Sequence, residues 1–388
     1  MGKYQNSARM MFCVTFLFWF SQYAYLPYLN PELQAMGATA TFMGVVSAGY
    51  GLTQLLSRIP MGIAADRWNC HRLFVAAGCA MAAAASFGIC FFYSPAGFLI
   101  FRALGGLGAA CWVAFTVLYS GYFPASRAPQ AISMLNVANQ AGRLACFALA
   151  ALLVGRFGVR GCFLLSGGAA LLALGCCLGL RRAPDAGQPI RLRQLPALLR
   201  DRTLVGCSLL AVLAQTVAFS TYSAFVSNHA AAIGAQPAQL SGMNIALMAP
   251  VVLVNYLVAR RWLPRYGLRP LLLWGFAVTA LYCLLLPLAG RMAEVYALQA
   301  LAGVGNSLTI AVLLGGCVQG VEPRFRATAM GFFQAVYGLG MSGGPVLMGV
   351  LADRFGLPAA FWAMGGVSLA ALALVPVLLP AKSTAAAR

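Results

Sequence analysis

A chain of 388 residues in which 61% are hydrophobic and 9% are charged is too apolar for a soluble globular domain. Its formal charge of +19, from 26 Lys and Arg against 7 Asp and Glu, would point to nucleic acid in a soluble protein. Here the cations sit in short loops between apolar runs, which excludes a nucleic-acid partner in favour of membrane topology. With two histidines and no CxxC pair among twelve cysteines, no metal site, cofactor or disulfide framework is expected, nor the acid–base apparatus of an enzyme.

About 20 apolar residues make a helix long enough to cross the hydrocarbon layer. Twelve such spans are predicted, at 10–29, 41–64, 73–93, 96–120, 130–154, 161–180, 204–228, 239–259, 270–289, 294–317, 327–351 and 359–379. Lys3 and Arg9 precede the first span as they would in a signal peptide, but no small-residue cleavage site follows, so it is read as a retained helix. Its Thr15, Trp19, Gln22 and Tyr23 share one face, while Tyr25 and Tyr28 are expected in the interfacial aromatic belt. Glu32 follows at the outer mouth.

The second span ends in Gly62-Ile-Ala-Ala-Asp66-Arg67-Trp-Asn69-Cys-His71-Arg72. The fourth carries Arg102 ahead of Gly105, Gly106 and Gly108. The fifth carries Asn136, Asn139, Gln140 and Arg143, the i, i+3, i+4 and i+7 positions of one helical face. An arginine at mid-bilayer depth costs at least about 2.5–3.5 kcal/mol, so Arg102 and Arg143 are expected to face the protein interior. A guanidinium flanked by amides can hold a carboxylate or phosphate in bidentate fashion. The alternative role for this ridge is to fasten neighbouring helices.

After the sixth span a basic linker, 183–202, bears Arg191, Arg193, Arg200 and Arg202. In the seventh span Gln215, Thr216, Ser220 and Tyr222 interrupt the apolar run, and in the tenth Gln299 and Asn306 do so. Glu294 opens the tenth span; Glu32 and Glu294 are the candidates for coupling, because no carboxylate falls mid-membrane. The eleventh span holds Gly338, Gly340, Gly343, Gly344 and Pro345, which allow close helix approach and a kink.

The second half repeats the first. An offset of 198 pairs Arg67 with Arg265, Gly142 with Gly340, Arg156-Phe157-Gly158 with Arg354-Phe355-Gly356 and Gly167-Gly168 with Gly365-Gly366; an offset of 197 pairs Gly106 and Gly108 with Gly303 and Gly305. The expected fold is an all-α membrane protein of twelve transmembrane helices in two six-helix bundles related by a pseudo-twofold axis, with domains 1–182 and 203–388. Four cations, Arg156, Arg160, Arg291 and Arg354, fall opposite the N-terminus and 20 on its side, counting Arg58 near that end of the second span, which places both termini in the cytoplasm and the chain in the inner membrane.

The loop from Gly62 through Asp66-Arg67 to Arg72 resembles the signature loop of the major facilitator superfamily, and the fourth-span arginine and glycines resemble another motif of that family. The loop departs from the family pattern at Ala64, Asn69, Cys70 and His71, although asparagine tolerates the left-handed turn that a glycine would make. Its second-half counterpart, Arg260 to Gly267, lacks the aspartate. The resemblance implies alternating access at a midplane cavity lined by the first, fourth, seventh and tenth spans. It also implies a latch of Gly62, Asp66, Arg67 and Arg72 against the start of the eleventh helix, near Arg324 and Arg326. Gly142-Arg143 stands where drug antiporters of the family carry Gly-Pro, which lowers the expectation of drug export.

The candidate solute contacts are Arg143, Arg102, Asn136, Asn139, Gln140, Trp19, Gln22, Tyr23, Gln215, Tyr222 and Asn306. A monomeric carrier of a small organic anion or zwitterion is expected, with lipid around it and protons an optional coupling ion. An efflux pump for amphipathic compounds is the alternative, and a transport-silent sensor a remote one.

Overall fold

A computed structural model describes residues 2–124, 127–183, 201–319, 321–322 and 326–379, so most of the predicted linker, 184–200, lies outside the described residues. Among the described residues all regular structure is helical. The chain begins with α1 (Gly2–Tyr23), α2 (Leu26–Ala35), α3 (Ala40–Arg67) and α4 (His71–Phe91). It continues with α5 (Pro95–Ala110), α6 (Trp112–Ser120) and α7 (Ala128–Cys177). Beyond the linker come α8 (Arg202–Ser220), α9 (Val226–Ala232), α10 (Pro237–Leu257), α11 (Leu263–Tyr266) and α12 (Leu268–Leu285). The last are α13 (Met292–Asn306), α14 (Val312–Gly316), α15 (Arg326–Phe355) and α16 (Leu357–Leu378).

These pieces make the twelve crossings once their breaks are explained. α5 and α6 form one crossing, and α7 is two, divided at Gly158, whose φ of 65° and ψ of −177° reverse the chain between spans five and six. The first crossing stops at Tyr23, short of the predicted residue 29. Pro27 stands in the first turn of α2, where its missing N–H does no harm, but it cannot donate to the Tyr23 carbonyl four residues earlier and its ring would clash there, so α1 does not run on through it. Three crossings of the second half contain a π-helical turn: Thr221–Phe225 after α8, Val258–Trp262 after α10 and Ser307–Ala311 after α13. Large side chains such as Leu152, Leu172, Trp274 and Val377 lie on the surface, as expected where the solvent is lipid.

The helices form two compact units, Met1–Pro189 with Ala230–Ile245, and Ile190–His229 with Ala246–Arg388. Each has its own core, around Phe18, Val75, Phe115 and Leu135 in the first and Leu272, Phe276, Val312 and Phe333 in the second.

The duplication read from the sequence is present in the backbone. Residues with positive φ pair at offsets of 197 or 198: Gly37 (79°) with Gly234 (87°), Asn69 (45°) with Gly267 (76°), and Gly158 (65°) with Gly356 (84°). Asn69 makes the left-handed turn expected of it. Helix contacts repeat as well. A Cβ on Gly106 would lie 2.3 Å from the Tyr50 carbonyl oxygen, and one on Gly303 2.1 Å from that of Leu247. One on Gly142 would lie 2.3 Å from the Phe16 carbonyl oxygen, and one on Gly340 2.2 Å from that of Val212. In lipid, apolar burial does not drive helices together, so such backbone-to-backbone approach is what holds each unit.

Candidate functional site

The predicted polar ridge of the fifth crossing meets the first crossing. Gly142 brings the backbones of α7 and α1 into contact, which places the neighbouring Arg143 beside the last turn of α1. Its guanidinium carbon lies 4.2 Å from the centre of the Tyr23 ring, a cation–π distance, and its Nη1 donates to Gln140 Oε1 at 3.0 Å. Tyr23 packs against Trp19 (ring centres 5.9 Å apart) and Phe147 (6.2 Å), and Trp19 against Trp112 (5.4 Å). Along the ridge Asn139, Gln140 and Arg143 are partly buried and Asn136 is exposed.

Arg102 sits in a second cation–aromatic cluster and is 5% exposed. Its Nη1 donates to Tyr25 Oη at 3.0 Å, and its guanidinium carbon lies 4.1 Å from the centre of the Tyr50 ring. Tyr25 and Tyr28, expected in the interfacial belt, are both 1% exposed. The break between α1 and α2 turns them inward, where Tyr25 accepts from Arg102 and the Tyr28 hydroxyl lies 2.7 Å from Ser241 Oγ. Gln22 is buried and donates from Nε2 to the Gly105 carbonyl at 3.1 Å, tying the first crossing to the fourth.

Several polar atoms around these clusters are buried without a hydrogen-bond partner: Thr15 Oγ1, Trp19 Nε1, Arg102 Nε, Asn139 Oδ1 and Arg143 Nε. Such groups are costly to leave unpaired, and they converge on the first, fourth and fifth crossings. Neither arginine forms an ion pair among the described residues.

The carboxylates are engaged elsewhere. Glu32 Oε2 accepts from the Tyr93 hydroxyl, and Arg160 lies over the Tyr93 ring at 4.4 Å. Glu294 Oε2 accepts the backbone N–H groups of Gly290 (2.8 Å) and Arg291 (3.3 Å), an N-terminal cap for α13. Asp66 Oδ1 lies 3.5 Å from His71 Nε2. Partial burial raises the Asp66 carboxyl above its ordinary value, and the nearby His71 pulls it the other way.

Of the other latch-loop residues, Gly62 is buried and Arg67 exposed. Arg72 donates from Nη2 to the Leu178 carbonyl at 2.7 Å and from Nε to that of Cys177 at 3.3 Å, so it stands as a cation at the C-terminal end of α7. Its counterpart Arg269 donates to Pro376 at the end of α16 at 3.3 Å. Arg324 and the Arg326 side chain, the expected partners of Asp66, lie outside the described residues.

In the second unit the polar residues pair with one another without a cation, while Gln299 Nε2 and Ser307 Oγ are buried without a hydrogen-bond partner. The Tyr222 hydroxyl donates to Asn306 Oδ1 at 2.8 Å, and the Tyr282 hydroxyl to Gln299 Oε1 at 3.3 Å; Gln215 is buried nearby in sequence, in α8. Both π-helical turns at 221–225 and 307–311 fall beside this pair, a feature concentrated at functional sites. Sequence reasoning missed those turns and the roles of Tyr25 and Tyr50. The 197 offset, which pairs Tyr25 with Tyr222, was the available signal for Tyr25; nothing local marks Tyr50. Among the described residues no cluster of His, Cys, Asp and Glu could hold a metal ion.

The family model described as Major Facilitator Superfamily matches residues 11–264 and 208–388. Similar solved structures include the nucleoside transporter NupG, at 14% identity and a TM-score of 0.80 over 97% of this chain and 100% of that one. A bacterial homolog of the human lysosomal transporter Spinster, in an inward-facing and occupied conformation, matches at 15% identity and 0.78 over 96% of each chain. A D-xylose-proton symporter matches at 14% and 0.78 over 97% and 98%.

Proposed function

From its membership of the major facilitator superfamily, a family of multi-pass carriers of small-molecule solutes, we propose that this chain transports a small organic anion or zwitterion by alternating access. The observation that carries the proposal is Arg143: a partly buried guanidinium at bilayer depth, braced by Tyr23 and Gln140, with a free Nε and, among the described residues, no carboxylate paired to it. A solute carboxylate would remove the cost of that uncompensated charge, and Asn139 and Trp19 offer unpaired acceptor and donor atoms beside it. Tyr222 and Asn306 form an uncharged hydrogen-bonding pair within the second unit.

Arg102 is assigned a supporting role, since its aromatic surroundings already take up one N–H and one face of the guanidinium. Glu32 is the better coupling candidate, because its carboxylate accepts from the Tyr93 phenol, whose ring also faces Arg160, whereas that of Glu294 caps a helix. The cation-rich loops support an inner-membrane location with both termini cytoplasmic.

Flux into proteoliposomes tests this reading with a panel of carboxylates and amino acids set against lipophilic cations. Arg143→Gln should weaken uptake of the anionic solute strongly without changing the amount of folded protein, and Arg143→Lys should restore part of it. Loss of folded protein in both variants would assign Arg143 to helix fastening and overturn the site. The Trp19, Trp112 and Phe115 cluster favours a second reading, export of amphipathic compounds. Lipophilic cations that are carried equally well by Arg143→Gln would establish it.

A further inference from the structure

A cavity of about 570 Å³ opens within the first unit, away from the Arg143 cluster and reaching the start of the fifth crossing at Met134. Its walls come from the N-terminal half of α1, with Tyr4, Arg9, Phe12 and Cys13, from the end of the fourth crossing and the chain after it, with Tyr119 and Tyr122, and from Met134 of α7. The topology read from the loops places these segments at the cytoplasmic face. Arg9 precedes Tyr23 by fourteen residues on α1, about 21 Å at 1.5 Å per residue, so this is a separate place from the Arg143 cluster.

The chemistry of the walls is specific. Tyr4 and Tyr122 lie 5.9 Å apart with ring planes 17° from parallel, and the Tyr122 hydroxyl donates to the Arg181 carbonyl, which fixes one wall as a flat aromatic surface. Arg9 is exposed and forms no ion pair among the described residues, and no acidic residue lines the space. A flat apolar wall beside a single uncompensated cation complements a planar ring that carries a negative charge, and the volume falls in the range of about 300–1,000 Å³ of small-molecule sites.

We propose that this cavity is a second binding site, open to the cytoplasm, for planar aromatic anions, with Arg9 as the counter-ion and the tyrosine wall as the stacking surface. The site is independent of the one assigned to transport and stands or falls without it. Cys13 provides the readout, because it is the one exposed thiol of the twelve cysteines and lies in the wall.

The test uses the full chain in lipid nanodiscs, 2-naphthoate as probe and its uncharged relative 2-naphthamide as control. The rate of maleimide alkylation at Cys13 is located by mass spectrometry, with Cys13→Ser as the blank. 2-Naphthoate at ten times its Kd should slow alkylation on the order of tenfold. The amide should not slow it, Arg9→Gln should abolish the protection and Arg143→Gln should leave it intact. Equal protection by the amide would reveal an unselective apolar crevice and overturn the proposal. So would protection that survives Arg9→Gln, protection seen in detergent and lost in nanodiscs because lipid fills the space, or a Cys13 that no maleimide reaches in the free protein. Protection lost with Arg143→Gln and kept with Arg9→Gln would move the probe to the transport site and reject this one.

Discussion

In the first unit Gly106 stands against Tyr50 and Gly142 against Phe16; in the second Gly303 stands against Leu247 and Gly340 against Val212. The places between these contacts have diverged. Arg102, in its box of Tyr25 and Tyr50, corresponds at offset 197 to Gln299 with Tyr222 and Leu247. Arg143 corresponds at offset 198 to Met341, and Asp66 to Pro264. Backbone-to-backbone packing admits no side chain, so both copies retain it, whereas the polar positions are free to specialise. The guanidinium–aromatic clusters of Arg102 and Arg143 belong to the first unit, and the uncharged Tyr222–Asn306 and Tyr282–Gln299 pairs to the second.

The strongest way to break this comparison is to attack what the units share. Gly142→Val and Gly340→Val each force side-chain atoms into a neighbouring backbone, and both should lower stability by about 1–3 kcal/mol or more. Thermal melting in detergent would show the two shifts to be similar in size. If one variant melted like the parent protein, the duplicated contact would not be what holds that unit.

The next largest effect should fall on function and on one unit alone. Arg143→Met copies the second-unit residue into the first and removes a charge-assisted contact of about 1.5–3 kcal/mol, which is roughly tenfold to a hundredfold in affinity for an anionic solute. Melting temperature should change little, since among the described residues no carboxylate pairs with Arg143 and would be left alone. Unchanged solute affinity in this variant would end the division of labour between the units.

The sequence revealed those parts of the molecule that are periodic or repeated. The crossings were legible because lipid demands long apolar runs, and the duplication because glycines at crossing points cannot drift. The ridge of Asn139, Gln140 and Arg143 was legible because polar residues at helical spacing stand out in an apolar span. Tyr25 and Tyr28 were misread as interfacial belt, since a tyrosine near a span end looks the same in sequence whether it faces headgroups or a buried arginine. Tyr50 gave no signal, as its role depends on the register between the second and fourth crossings. The π-helical turns depend on a one-residue insertion into the hydrogen-bond ladder that composition does not mark. The cavity beside Arg9 joins residues more than a hundred positions apart in the chain.

Smaller effects are expected in the loop between the second and third crossings, where both units have a left-handed residue but a different one. Asn69→Gly makes the first loop like the second, with Gly267, and should leave the melting temperature nearly unchanged. Asn69→Ala removes the side chain that tolerates φ of 45° and should cost about 1 kcal/mol. If the alanine were as stable as the glycine, the turn would not need its left-handed residue.

The finest distinction is Asp66, which has no acidic counterpart in the second unit. Burial lifts its carboxyl above the ordinary value of 3.8, although His71 opposes the shift. The folded protein therefore binds a proton more readily at Asp66 than the unfolded chain does. Between 3.8 and the raised folded value, stability falls as pH increases, and above that value the penalty is fully present. Asp66→Asn cannot ionise and should lack this slope. The melting temperature of Asp66→Asn, relative to the parent, should rise as pH is brought from that acidic window to neutrality, and a Pro264→Ala variant in the second unit should show no such trend. A relative melting temperature that falls instead would mean that the ionised Asp66 is held by a favourable partner, as a latch would hold it, and that the electrostatics of this loop are set by attraction more than by burial.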